Sequence, residues 1–132
     1  LNSLRLLREI EKRLEAPELP LPDVFVEVNC SGEASKTGLP AGELADLLAE
    51  IPICPNVAGK LQGLMTIPPY CDEPGGSRPF FRELRQLRDQ YLAAGLLPPG
   101  SGLSMGMSSD FETAVEEGAT VVRIGSAIYR QD

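Results

Sequence analysis

Apolar residues recur along this chain with two alternating periods, and that alternation predicts helix and strand in turn. From Ser3 to Ala16, Leu4, Leu7, Ile10 and Leu14 fall on one side of a helix, which the proline-rich run APELPLPD then stops. Asp23 to Cys30, DVFVEVNC, is a short run dominated by Val and Phe that suits a parallel strand covered on both faces. A polar loop, SGEASKTGL, comes next. A second helix starts near Pro40, well placed in a first turn, and spaces Leu44, Leu47, Leu48 and Ile51 along one face.

Lys60 to Ile67, KLQGLMTI, reads as another strand, and Pro68 to Ser77 as a long loop. The third helix covers Arg78 to Ala94, with Phe80, Leu84, Leu87 and Tyr91 inward and Arg82, Arg85 and Arg88 on the other side as a solvated basic stripe. Gly100 to Met107 carries the strand LSMGM. Ser108 or Ser109 can cap the helix after it, and Ser109-x-x-Glu112 fits a capping box, with Gly118 as the C-terminal stop. Thr120 to Gly125, TVVRIG, is a fourth strand, and SAIYRQD begins one more helix. This αβαβαβαβ(α) order predicts right-handed crossovers and a parallel sheet. Two architectures fit: an open doubly wound sheet, or part of a (β/α)8 barrel, of which four βα units make about half.

Composition narrows the chemistry. The 132 residues make one ordinary domain, and 12 Lys plus Arg against 19 Asp plus Glu leave a net charge of −7, with no basic face for nucleic acid. Histidine is absent, which removes imidazole-based triads and the common His-rich metal sites. No apolar run approaches the roughly 18 residues that a membrane span needs. The three cysteines, Cys30, Cys54 and Cys71, form no CxxC pair, so reduced thiols and a cytoplasmic location are expected. The first residues lack the pattern of a signal peptide and there is no initiator Met, from which we expect a chain that starts inside a longer protein.

The informative stretch is Leu103 to Arg130, LSMGMSSDFETAVEEGATVVRIGSAIYR. In it two strands end in small residues leading straight into helix N-termini, at Gly106-Met107-Ser108-Ser109 and at Gly125-Ser126. Free N–H groups at a helix start, with glycine allowing close approach, make a phosphate cup, although the same residues also serve plain turns and caps. Strand alternation puts Val121, Arg123 and Gly125 on one face. Arg123 thus lies on the side of the cup but deeper, and a buried Arg needs either a structural carboxylate or a ligand.

These residues resemble a known family. GLMTIPP at Gly63 to Pro69, the Leu103 to Tyr129 stretch, and VEVNCSGEASKTGL at Val26 to Leu39 are together similar to the C-terminal half of the pyridoxal phosphate (PLP) homeostasis proteins, which bind PLP on an alanine-racemase-type barrel. The resemblance spans essentially the whole chain. It implies that residues 1–132 are a partial domain, the C-terminal half of a (β/α)8 PLP-binding barrel, with the N-terminal half absent. It further implies that Ser108 and the backbone around Gly125 and Ser126 hold the PLP phosphate, and that Arg123 faces the pyridine nitrogen. A guanidinium only donates hydrogen bonds, so the ring nitrogen would stay an unprotonated acceptor, a poor electron sink suited to keeping and handing over the cofactor. PLP homeostasis without enzymatic turnover is therefore expected, with recipient PLP enzymes as partners and neither nucleic acid nor membrane.

In that family the Schiff-base lysine ends the first strand of the barrel, upstream of anything in this sequence. Lys36, in Ala34-Ser35-Lys36-Thr37, imitates that motif but belongs to a later loop, and it is not assigned the covalent role; Lys12 and Lys60 read as surface and strand-end residues. Half a barrel leaves strand edges unpaired, so poor solubility or self-association is expected. An amino-acid racemase related by fold is the second reading. It needs a further acid or base, and Tyr70, Tyr91 and Tyr129 read as loop or packing residues. A phosphosugar barrel enzyme, a third reading, finds only Glu27 and Asn29 as polar strand residues.

Overall fold

The computed structural model describes residues 1–14 and 20–129. Its strands are β1 (Val24–Asn29), β2 (Leu39–Pro40), β3 (Leu61–Met65), β4 (Gly102–Met107) and β5 (Val121–Arg123). Its helices are α1 (Leu4–Arg13), α2 (Leu44–Glu50), α3 (Pro55–Ala58), α4 (Arg78–Ala93), α5 (Phe111–Glu116) and α6 (Ser126–Tyr129). All pairings are parallel, in the order β2-β1-β3-β4-β5. Apart from the two-residue β2, which lies on the outer side of β1, each strand is added beside the previous one. β1, β3, β4 and β5 follow one another in one direction across a fully parallel sheet, and the change of side falls at β2 alone.

The predicted helices and strands appear, with instructive departures. Ser3 caps α1 by accepting the Leu6 N–H at 3.2 Å, and Leu7 is buried between partly buried Leu4 and Ile10. Ala16, where the sequence places the end of this helix, lies outside the described residues. The helix expected at Pro40 begins later, as a 3-10 turn at Ala41–Glu43, because Leu39 and Pro40 first pair with Val28 and Asn29 as β2. Proline, which has no N–H to donate, is tolerated on this edge.

Registration of β1, β3 and β4 stacks Val26, Leu64 and Leu103 in one fully buried row. Leu7, Leu44, Leu47, Leu48, Phe81, Leu84 and Ala114, from α1, α2, α4 and α5, join that row in one core. The opposite row is Glu27, Met65 and Ser104, of which Glu27 and Met65 remain partly exposed. The strand expected to be covered on both faces is thus covered on one, since α1, α2, α4 and α5 all pack on the side of Val26 and Leu64. Leu61 and Leu64, three positions apart, are both buried because the register skips Gln62 between Val24 and Phe25 of β1. At the skip Gly63 has φ +143° and backs onto the Gly102 backbone. The outer edge of β1 is also occupied by Leu1, whose carbonyl accepts the Glu27 N–H at 2.8 Å and whose amine donates to the Phe25 carbonyl at 2.9 Å.

The arginine stripe of α4 is more than a solvated face, since its side chains stay partly exposed yet gather on one carboxylate. Arg78, Arg82 and Arg85 converge on Glu117, at the C-terminal end of α5, with N···O distances of 3.0, 3.3 and 3.2 Å, and Arg78 also pairs with Glu116. Glu117 is 4% exposed. Arg88 alone of the stripe faces elsewhere, to Asp89 at 2.6 Å. Gly118, with φ +95°, then ends α5 as the sequence requires.

The Arg78 hydrogen bond above all, aided by Arg82 and Arg85 and against the cost of burial, holds the Glu117 carboxyl below its ordinary value of 4.5. A depressed carboxyl stabilises the fold above the unfolded value, and that contribution disappears as pH falls through the folded one. Melting temperature should therefore fall on acidification below about pH 4.5, and Glu117→Gln should lower it at neutral pH while flattening this acid limb. Parallel acid limbs in both proteins would contradict the assignment.

Candidate functional site

In a parallel sheet the C-terminal ends of the strands collect the loops, and helix N-termini point toward them. Here that end forms a cleft of about 1040 Å³. It is lined by Lys36 from the loop after β1, the loop that follows β3 from Ile67 to Ser77, the turn from Gly106 to Asp110 after β4, and Arg123 to Ser126 after β5. The four residues expected from the sequence, Ser108, Arg123, Gly125 and Ser126, all line it together.

Ser108 joins the two small-residue turns. Its hydroxyl oxygen accepts the backbone N–H of Gly125 at 3.1 Å and of Ala127 at 3.2 Å, which leaves its own O–H available to donate. The Ser126 N–H, in the first turn of α6, has no acceptor within the helix. A Cβ built on Gly125 would meet no atom within 4 Å, so the space over this turn is open.

Arg123 is half-buried beneath the turns. Its Nη1 donates to Ser104 Oγ at 2.8 Å and its Nη2 to the Thr66 carbonyl at 3.0 Å. The sequence allows Arg123 a carboxylate or a ligand as partner, yet both acceptors are neutral, and among the described residues no carboxylate pairs with Arg123. Burial pulls the guanidinium below its ordinary pKa, opposed by the more distant charges of Asp110 and Glu27. Its remaining N–H groups are donors in search of acceptors.

Four further residues build this site. Thr66 and Ser104, hydroxyls inside apolar strands, could have been suspected because a buried hydroxyl needs a partner; Thr66 Oγ1 donates to the Val28 carbonyl at 2.8 Å. Asp110 accepts the Met107 N–H at 2.7 Å through one oxygen and the Ser77 hydroxyl at 2.8 Å through the other. The expected capping box at Ser109 and Glu112 does not form, since Asp110 occupies the N-cap position of α5 and turns its carboxylate away from that helix. Lys36, in the imitation motif, does line the cleft.

Other candidates are accounted for. Glu27 accepts the Thr37 hydroxyl at 2.6 Å, while Asn29 donates to the Glu33 carbonyl at 2.9 Å and accepts from Ser31 and Gly32, and neither lines the cleft. Tyr91 is packed in the core, Tyr70 is 77% exposed at the cleft and Tyr129 is exposed on α6. All three cysteines are free thiols, and burial pushes Cys30 up to about 11. Among the described residues no group of three or more His, Cys, Asp or Glu could hold a metal, and no helix is long and apolar enough to cross a membrane. Around Ser108, Arg123 and the start of α6 the cleft presents hydrogen-bond donors that can hold an anion and, beside it, an acceptor atom, while the carboxylates of Asp72, Glu73 and Asp110 lie elsewhere on its lining.

The whole chain, residues 1–132, matches the family profile described as alanine racemase, N-terminal domain. It is 47% identical over 133 residues to the pyridoxal phosphate homeostasis protein of Aquifex aeolicus strain VF5, covering 98% of this chain and 55% of that one. The chain thus spans about half the length of the curated relatives it matches. Among solved structures it resembles PipY of Synechococcus elongatus PCC7942 with PLP bound, at a TM-score of 0.71 and 29% identity, covering 98% of this chain and 58% of that one. It also has the fold of alanine racemase from Bartonella henselae, at a TM-score of 0.64 and 18% identity, covering 100% of this chain and 34% of that one.

Proposed function

Since the chain belongs to the alanine racemase N-terminal-domain family, we propose that it binds PLP in the cleft at the ends of β3, β4 and β5 and serves PLP homeostasis. The observation that carries this reading is the Ser108 bridge to Gly125 and Ala127 beside a half-buried Arg123 whose acceptors are neutral. The donor set fits the cofactor. Ser108 and the backbone around Gly125 and Ser126 would hold the phosphate, with the Ser108 O–H and the Ser126 N–H as the donors not already engaged, and Arg123 would donate to the ring nitrogen. When bound, PLP supplies a reactive aldehyde and an electron-withdrawing ring. Arg123 has no acceptor to offer and does not release its proton near neutral pH, so it would keep the ring nitrogen unprotonated and curb that withdrawal.

In this reading the chain is the C-terminal half of a (β/α)8 barrel. The one-directional order of β1, β3, β4 and β5, the core on one side and the share of the relatives' length that it matches all support this. Complementary strands would cover the open face and supply the lysine that anchors the cofactor, and self-association would follow where they are lacking. Three free thiols agree with a cytoplasmic setting, in which PLP enzymes are the recipients and neither nucleic acid nor membrane is a partner.

Equilibrium dialysis of the complete protein against PLP should show saturable binding that inorganic phosphate competes away. Absence of saturable binding would overturn the proposal. The family's name favours a racemase as second reading, and following the optical rotation of each alanine enantiomer separates the two. Homeostasis predicts no change; loss of rotation would identify an enzyme.

A further inference from the structure

Asp110 stands out because it forgoes the work its position offers. At the N-cap of α5 it makes no side-chain bond to that helix, and instead both of its oxygens serve the loops of the cleft. Its Oδ1 accepts the Met107 N–H at 2.7 Å while its own N–H donates to the Met107 carbonyl at 3.1 Å, a reciprocal pair that closes the turn holding Ser108 and Ser109. Its Oδ2 accepts from Ser77, buried at the N-cap of α4, which ties the long loop after β3 to the same turn. Ser108 in turn bridges to the start of α6.

We infer that Asp110 is a positioning residue for the phosphate end of the proposed PLP site, acting through Ser108. This rests on the PLP reading above and deepens it. A carboxylate so close to a dianion would oppose binding if its charge were presented to the ligand. Here two donors already engage its oxygens, and its contribution is to hold the Ser108 hydroxyl where it meets the Gly125 and Ala127 amides. Asparagine can preserve the geometry, since its carbonyl accepts the Met107 N–H and its amide can donate to the Ser77 oxygen.

The test compares affinities for PLP and for pyridoxal, which lacks the phosphate, in the complete protein and in Asp110→Ala, Asp110→Asn, Ser108→Ala and the Asp110→Ala/Ser108→Ala pair. Asp110→Ala should weaken PLP about tenfold and leave pyridoxal within about twofold, whereas Asp110→Asn should retain PLP within about threefold. In the Ser108→Ala background Asp110→Ala should add little further loss. Equal losses for both ligands, unaltered PLP affinity, or additive effects of the two substitutions would overturn the inference. Should Asp110→Ala fail to fold, Ser77→Ala, which removes only the second tether, should weaken PLP about two- to threefold with pyridoxal unaffected. Lack of that selectivity would be equally fatal. Failure of the unsubstituted protein to bind PLP would remove the functional reading and this inference with it, and so is distinguished from a failure of Asp110 alone.

Discussion

Exchanging Arg123 for glutamine is expected to weaken PLP retention about ten- to hundredfold while the fold persists. A hydrogen bond to a charged donor contributes about 1.5–3 kcal/mol, and each 1.4 kcal/mol is a factor of about ten. The side chain also spans Ser104 Oγ and the Thr66 carbonyl, so its loss loosens the ends of β3 and β4 as well. A glutamine amide can serve one of these acceptors, which limits the structural damage. Arg123→Lys separates the two contributions: it keeps the positive charge but, as a single ammonium, lacks the planar fork that reaches both partners at once. Retention by dialysis and secondary structure by circular dichroism decide the matter. Unchanged retention in Arg123→Gln would remove Arg123 from the site.

A second large effect is expected far from the cleft, at Gly63. A Cβ there would lie 2.0 Å from the Gly102 carbonyl oxygen and 2.7 Å from its nitrogen, and φ is +143°. The obstacle is the backbone of a paired strand, not the tip of a side chain that could swing aside. Gly63→Ala should cost about 3 kcal/mol or more, seen as a large drop in melting temperature or as insoluble protein. Gly59 is the control: a Cβ there meets nothing within 4 Å and its φ is −71°, so Gly59→Ala should change stability by no more than about 0.5 kcal/mol. Similar small effects at both positions would show that β3 and β4 are not so closely apposed.

The contrast between what the sequence discloses and what it hides follows the range of the interactions. Helices and strands with a full apolar period could be read directly, as at Leu4, Leu7 and Ile10 or at Leu44, Leu47 and Leu48, because periodicity is local. The two-residue β2 is too short to show a period. The arginines of α4 look solvated because the carboxylate that gathers them lies at the far end of α5, and no local pattern announces Glu117. Asp110 escapes a reading of the sequence for a related reason: cap preferences describe a side chain reaching forward onto its own helix, whereas this one reaches back to Met107 and across to Ser77. Ser108, Arg123, Gly125 and Ser126 were legible as neighbours because two successive strands with short turns must bring their ends together. The neutral partners of Arg123, Ser104 and Thr66, depend on strand register and needed coordinates.

The two margins of the sheet are not equivalent. Along β1 the backbone is already engaged by Leu1 and by Leu39 and Pro40, whereas β5 offers Val121 to Arg123 with pairing described on one flank only. Any further strand docking on the sheet would find its longest open run of backbone along β5, three residues against two in β2. Along that edge the shortness of the segment is what limits pairing, since the Arg123 guanidinium is turned the other way, onto Ser104 and Thr66.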